Sequence, residues 1–346
     1  MEKSVTKPGY IIVLTLSIIA AVVILLTTVI QQSFRYQRQV RTGTEIVRAR
    51  LLALSSLEIA RSQLSTVVLE EPDKKEASQD DPKKAQDMLE PVQKWLLKVL
   101  PVLNRWQTFT VDEEGLSGTV MLYLASEEGK FNLAAFRHEQ AEKKPQPQEG
   151  EEQEETASKR GALEALDELF KKIYDTSMHE AYKRFMNDHS RLPDDPAELL
   201  RIPYFAKVKD RLFTPLKPDP RGLYIMDLFT VRPQATETVN PWLLTASSKT
   251  LLGITEQKTE QFNEDFVKKI KPKMDWKTDW DQILAPRYGK NFAAFDPAIQ
   301  EIFGNAFEAK AFSVVSYCTV GNVTQRIYAV LEVAEPDKDL SPKSVI

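Results

Sequence analysis

YIIVLTLSIIAAVVILLTTVI, residues 10–30, is one uncharged run without Pro or Gly, and the rest of the chain is read outward from it. As a helix rising about 1.5 Å per residue it would reach roughly 31 Å, which matches a bilayer's hydrocarbon core of about 30 Å. A secretory signal peptide is a poorer fit. Its apolar region covers roughly 7–15 residues and ends in a small-residue cleavage site, and Gln31-Gln32-Ser33-Phe34-Arg35 offers none. An uncleaved single-pass anchor fits. A third reading comes from the short basic leader Met1 to Gly9, with Lys3, Lys7 and a Pro8-Gly9 ending. A peptidase cutting after Gly9 would leave Tyr10 as the first mature residue.

The 346 residues leave room for two ordinary domains after the anchor. With 28% charged residues and a net charge of −4, no basic excess points to nucleic acid, and none is expected as a partner. Cys318 stands alone, so no intramolecular disulfide forms, and its apolar alternating surroundings predict a buried, inert thiol.

From Gln31 to Glu70 there is no Pro. Val40, Val47, Leu51, Leu54, Leu57, Leu64 and Val68 form a drifting stripe at helical spacing, with Arg35, Arg38, Arg41, Arg48 and Arg50 mostly outside it. One helix is therefore expected from Tyr10 to about Leu69, with Gly43 its one weak point. Glu71 to Ala85 holds Pro72 and Pro82 and reads as a loop, and Met88 to Val102 returns to helical periodicity. Thr108 to Phe136 alternates, with Gly115, Gly118 and Gly129 as turn points, and predicts two or three antiparallel strands. Glu139 to Ser158 is rich in Pro, Gln and Glu and cannot bury enough surface to offset its ordering entropy.

Beyond it, helices are expected over Gly161 to Met186, Ala197 to Val208, Thr250 to Leu252, Glu260 to Ile270 and Pro297 to Phe303. Leu223 to Val231 reads as strand-like or extended. Ala311 to Cys318 and Gln325 to Val333 alternate around Gly321-Asn322, a hairpin signal. The fold class is thus α+β: a long N-terminal transmembrane and amphipathic helix on a small antiparallel sheet, with a large, mostly helical insertion. The segments are a leader 1–9, transmembrane helix 10–30, its continuation 31–70, a first sheet part 71–136, an acidic linker 137–158, the insertion 159–290, closing strands 291–334 and a tail 335–346.

Chemistry is sparse. Walker, dinucleotide, GxSxG and HExxH signatures are all missing from the sequence, and no catalytic residue is expected. His138 borders the linker, while His179 and His189 are spaced onto different helix faces, as satisfied histidines would be. Three acidic clusters read first as solvated turns, and second as ligands for a hard cation such as calcium: Asp112-Glu113-Glu114, Glu127-Glu128, and Asp275 with Asp279 and Asp281. None has EF-hand spacing. Trp276 and Trp280, one helical turn apart, read as core before sugar platform.

A basic leader ending in Gly9, an apolar helix directly after it and a long amphipathic continuation resemble the class III leader of type IV pilin-like proteins. The K-type minor pseudopilins of type II secretion systems are the nearest in layout. Three stretches carry the likeness: Glu128-Gly129-Lys130-Phe131-Asn132-Leu133, Thr238 to Ser247, and the closing run Phe312 to Val333. The fifth residue after Gly9 is Leu14, where most pilins have Glu and the K-type does not. Tyr10 is an unusual first mature residue, and Pro241-Trp242-Leu243 interrupts the family's Asn-Thr-Ala pattern.

The resemblance implies a non-enzymatic filament subunit, processed at Gly9–Tyr10, with Leu14 at a subunit-packing position. It implies an inner-membrane anchor and a periplasmic globular part. Its partners would be I- and J-type minor pseudopilins, a prepilin peptidase, the assembly platform and membrane lipid. The arginine count alone favours the opposite orientation, because Lys3 and Lys7 precede the helix and five arginines follow it. A single-pass anchored scaffold or binding domain without leader cleavage is the alternative.

Overall fold

The computed structural model describes residues 8–65, 93–113, 116–134, 161–231, 238–255, 264–307 and 309–332, with positions 176, 190, 192, 203–204, 218–221 and 272 left out. The expected leader, except Pro8 and Gly9, lies outside these residues, as do the Glu71 to Ala85 loop, the acidic linker and the tail.

Helix α1 runs without a break over Pro8–Ser65, passing straight through Gly43. A second helix, α2, covers 93–99. Two hairpins follow, far apart in sequence: β1 (Trp106–Glu113) with β2 (Leu116–Ser126), and β5 (Ala311–Val320) with β6 (Val323–Glu332). They join as one sheet in the order β1-β2-β5-β6. Gly118 lies beside Thr319, and Ser313 reaches the Ala125 carbonyl, so β2 and β5 run antiparallel. The expected rejoining of strands from the two ends of the globular part holds. Gly321 turns the second hairpin at φ 57°, a conformation that glycine adopts freely.

Two compact units divide the chain. One comprises residues up to Ser55, Phe109–Val120 and Tyr317–Arg326; the other comprises Ser56–Thr108, Met121–Ser316 and the residues from Ile327. In the first, Ala49, Leu52 and Ala53 are the buried residues of α1. Gly118 is mid-strand rather than the expected turn point. A Cβ there would meet the Thr319 carbonyl at 2.7 Å and Leu52 Cδ2 at 2.8 Å. In the second unit α1 buries Ser56, Ala60 and Leu64.

The expected packing stripe is therefore corrected. Of the expected stripe, Val40, Val47, Leu51 and Leu54 are exposed while Leu64 is buried, and the packed face is made mostly of small residues, Ala49, Ala53, Ser56 and Ala60, with Leu52. Small side chains let a helix backbone sit near a sheet, which large aliphatic ones would prevent.

The inserted block is helical in shorter pieces than its periodicity suggests. The expected Gly161 to Met186 helix breaks into α3 (Ala162–Tyr174) and α4 (Met178–His189). Asp175 takes the left-handed conformation at φ 50°, and the Asp167 carboxylate then accepts from Ser177 Oγ and the His179 N–H, fixing the turn. Residues Pro196–Arg201 and Phe205–Arg211 are 3-10 turns, not one helix. Leu223 to Val231 is not simply extended: a short helix α5 (Ile225–Leu228) precedes β4 (Phe229–Thr230), which pairs in parallel with β3 (Phe131–Asn132). Helices α6 (Ala246–Leu251), α7 (Glu264–Val267), α8 (Trp276–Ile283), α9 (Ala285–Tyr288) and α10 (Pro297–Glu301) complete the block. Trp280 is fully buried at its aromatic centre, within 5.9 Å of the rings of Trp276, Tyr288, Phe292, Phe295 and Phe303.

Candidate functional site

Every described side chain of α1 from Ile12 to Thr44 is exposed, and the apolar part of the helix has a mean hydropathy of 2.8. An aliphatic surface of that length is costly in water and at home in lipid or against other apolar helices. Its few polar groups are turned inward. Thr15 donates to Ile12 O at 2.9 Å and Ser17 to Val13 O at 2.9 Å, and the Thr27 and Thr28 hydroxyls bond the Val23 and Ile24 carbonyls. The stretch thus keeps its hydroxyls satisfied without water, as a bilayer demands. Gly9 and Tyr10 lie in the first turn of α1, and Leu14 projects from it about half exposed.

The three stretches that carry the family resemblance meet in the second unit. Gly129 sits so close to the Leu243–Leu244 backbone that a Cβ would fall 1.9 Å from the Leu243 oxygen. The Asn240 N–H donates to Glu128 O at 2.7 Å, and Asn240 Oδ1 caps the Trp242 N–H at 3.0 Å. Lys130 is enclosed, pairing with Glu127 and donating to Ser313 Oγ at 2.8 Å. Glu128 Oε1 accepts from the Lys310 and Ala311 N–H groups at 2.9 and 3.0 Å. Glu127 and Glu128 are thus buried bonded groups, not solvated turns. Sequence gave no sign of this, because an acidic pair beside Gly also reads as a surface turn.

A further carboxylate escaped the sequence reading. Asp227 is buried and accepts from Tyr123 Oη at 3.1 Å and the Ser247 N–H at 2.8 Å. Burial raises its pKa, with the Lys130 charge and those hydrogen bonds opposing. The Tyr123 hydroxyl is pushed up strongly, first by burial and then by the neighbouring Asp227 charge. Thr245 also bonds the Asp227 carbonyl, closing the network.

The other candidate ligands are occupied by the protein itself. Asp279 is buried against Lys271 Nζ at 2.6 Å, Asp275 caps α8 through the Lys277 N–H, and Asp281 accepts from the Phe292 N–H at 2.8 Å. Burial raises the Asp279 pKa, but the Lys271 hydrogen bond and charge, with the Asp275 N–H, outweigh it, and the net shift is downward. Asp112 is exposed, and the side chains of Glu113 and Glu114 lie outside the described residues. Among the described residues no three His, Cys, Asp or Glu side chains gather to hold a metal ion. His189 stacks on Phe185 with centroids 4.3 Å apart, while His138 is outside the described residues. Cys318 is buried, and Trp276 and Trp280 are core.

No known protein family matches the chain, and no curated protein does. Among solved structures, the chain is similar to one in the crystal structure of the GspK–GspI–GspJ complex from the enterotoxigenic Escherichia coli type 2 secretion system. The similarity covers 86% of this chain and 95% of that one, at 13% identity and a TM-score of 0.44.

Proposed function

We propose that this chain is a minor pseudopilin at the tip of a type II secretion pseudopilus. It would be anchored by residues 10–30 in the inner membrane, with its globular part in the periplasm. The observation that carries this reading is α1 itself: a bare apolar half continues without a break into a half that packs small residues against an antiparallel sheet, itself split by a helical insertion. The meeting of the three family-like stretches at one buried junction supports it.

A prepilin peptidase would cut between Gly9 and Tyr10, and the apolar half would pass from lipid into a filament built with I- and J-type pseudopilins on the assembly platform. Leu14 gives a physical reason for a tip position. A Glu at that depth would pair with the N-terminal ammonium of the next subunit, and Leu offers no such acceptor. The role is structural, not enzymatic.

Five arginines after the apolar run favour the second reading, a cytoplasm-facing anchored scaffold that keeps its leader. N-terminal sequencing and intact mass, after co-expression with a prepilin peptidase, separate the two. A mature chain starting at methylated Tyr10 is expected. An intact Met1 would overturn the pilin-like reading and leave the scaffold.

A further inference from the structure

The apolar run of α1 ends at Ile30, and the helix meets the rest of its unit only farther along. Glu45 packs against the β5–β6 turn, where a Cβ on Gly321 would fall 2.7 Å from its carboxylate, and Ala49 is the first described residue of the helix to be buried. At 1.5 Å per residue, Glu45 stands about 22 Å beyond Ile30. The interval from Gln31 to Thr44 is bare helix, with every side chain exposed. It is also cationic. Arg35, Arg38 and Arg41 fall within it, and the sequence has no carboxylate between Glu2 and Glu45.

These three arginines are not equivalent. Arg41 Nε bonds Glu45 Oε1 at 2.9 Å, which draws it away from the apolar run. Arg35 and Arg38 make no hydrogen bond or ion pair among the described residues. About one turn apart, they share the side of α1 that carries the buried Ala49 about three turns later. Side chains on a helix lean toward its N-terminus, so both lean back toward the apolar run.

Their depth fits one kind of surface. Headgroups extend roughly 5–8 Å beyond the hydrocarbon core on each side. Arg35 lies about 8 Å beyond Ile30 and Arg38 about 12 Å, so Arg35 starts at that boundary and the long Arg38 side chain leans back onto it. Tyr36, exposed beside them, is a ring of the kind enriched at that level. Arg48 and Arg50, about 27 and 30 Å beyond Ile30, are out of reach.

We infer that Arg35 and Arg38 form a docking pair for the phosphate of an anionic phospholipid headgroup. The inference rests on the reading of residues 10–30 as a membrane anchor and holds for either orientation of the chain. Guanidinium forks bond phosphate oxygens bidentately, so shape and charge act together. A zwitterionic headgroup offers the same phosphate but brings its own cation, which the arginines repel. The pair therefore selects a lipid of net negative charge, such as phosphatidylglycerol.

The test places the full chain in phosphatidylcholine vesicles carrying a trace of spin-labelled phosphatidylglycerol or spin-labelled phosphatidylcholine. Electron paramagnetic resonance then reads the fraction of each label that the protein immobilises. At about 1 kcal/mol per arginine, phosphatidylglycerol should be favoured at least fivefold at low salt, and less at high salt. Arg35→Gln with Arg38→Gln should bring the two lipids to parity. Arg48→Gln with Arg50→Gln removes the same charge and should leave the preference intact. A chain that survives an alkaline wash of the vesicles yet shows no preference would overturn the docking pair and leave the anchor standing; a chain that washes off would overturn both. Equal loss in the two double variants would reduce the effect to net charge and overturn the pair. Displacement of the lipid by excess inorganic phosphate would overturn it too, in favour of a soluble anion. Parity in the wild type, with co-purification of I- and J-type pseudopilins lost in Arg35→Gln with Arg38→Gln, would give the pair to an acidic filament partner instead.

Discussion

Ser56 and Ser316 meet hydroxyl to hydroxyl at 2.7 Å, both fully buried, fastening α1 to β5 across 260 positions of sequence. The Ser56 hydroxyl donates and the Ser316 hydroxyl accepts, and two such small side chains keep the helix close to the strand. Ser56→Leu should overfill the interface and destabilise the fold by about 1–3 kcal/mol. Ser56→Ala, which only removes the hydrogen bond, should cost about 1 kcal/mol. Urea unfolding of the full chain in detergent, followed by fluorescence, checks both. Equal midpoints for wild type and Ser56→Leu would show that the interface is not close-packed.

Glycines separate in the same assay. Gly129→Ala places a methyl 1.9 Å from the Leu243 oxygen, where only backbone can yield, and should cost about 3 kcal/mol. Gly43→Ala meets nothing within 4 Å inside a helix and should stabilise by about 0.5–1 kcal/mol. Opposite signs are the expected outcome. If both prove neutral, the close approach at Gly129 is wrong.

Periodicity made the long helix and the closing hairpin legible, because each depends on local pattern and turn chemistry: α1 on the uninterrupted run from Tyr10, the hairpin on Gly321-Asn322. Which face of α1 packs was not legible. The aliphatic stripe was the stronger signal, yet of it Val40, Val47, Leu51 and Leu54 are exposed, and Ala49, Ala53, Ser56 and Ala60 face inward beside Leu52 and Leu64. The break at Asp175 depends on Asp167 capping the next helix, a partner that spacing does not reveal. Glu127 pairs with Lys130 only three positions on, but Ser313, which accepts from that ammonium, the Lys310 and Ala311 N–H groups on Glu128 and the Ser247 N–H on Asp227 all come from segments that local pattern does not connect.

Asp227 should make stability depend on pH. Its pKa is raised in the folded protein, so the folded state holds the proton more tightly than the unfolded chain does. The stability this supplies is fully present below the ordinary carboxylate pKa and is lost as pH rises through the raised value. Asp227→Asn should flatten that decline, and it should leave the remaining carboxylates' acid destabilisation in place. Urea midpoints from acid to neutral pH measure the difference. A decline of the same steepness in Asp227→Asn would assign the dependence elsewhere.

The outward aliphatic stripe on the second half of α1 gives a prediction that separates folding from assembly. Leu51 and Leu54 are about half exposed, so Leu51→Arg and Leu54→Arg remove little burial within the chain and should change stability by no more than about 0.5 kcal/mol. Ala53, buried between them in sequence, should tolerate no such change: Ala53→Arg buries an unpaired charge and should prevent folding. If the chain is a filament subunit, its partners cover this stripe. Leu51→Arg should then fold normally and yet lose co-purification with I- and J-type pseudopilins. Undiminished co-purification of Leu51→Arg and Leu54→Arg together would remove this face from the assembly.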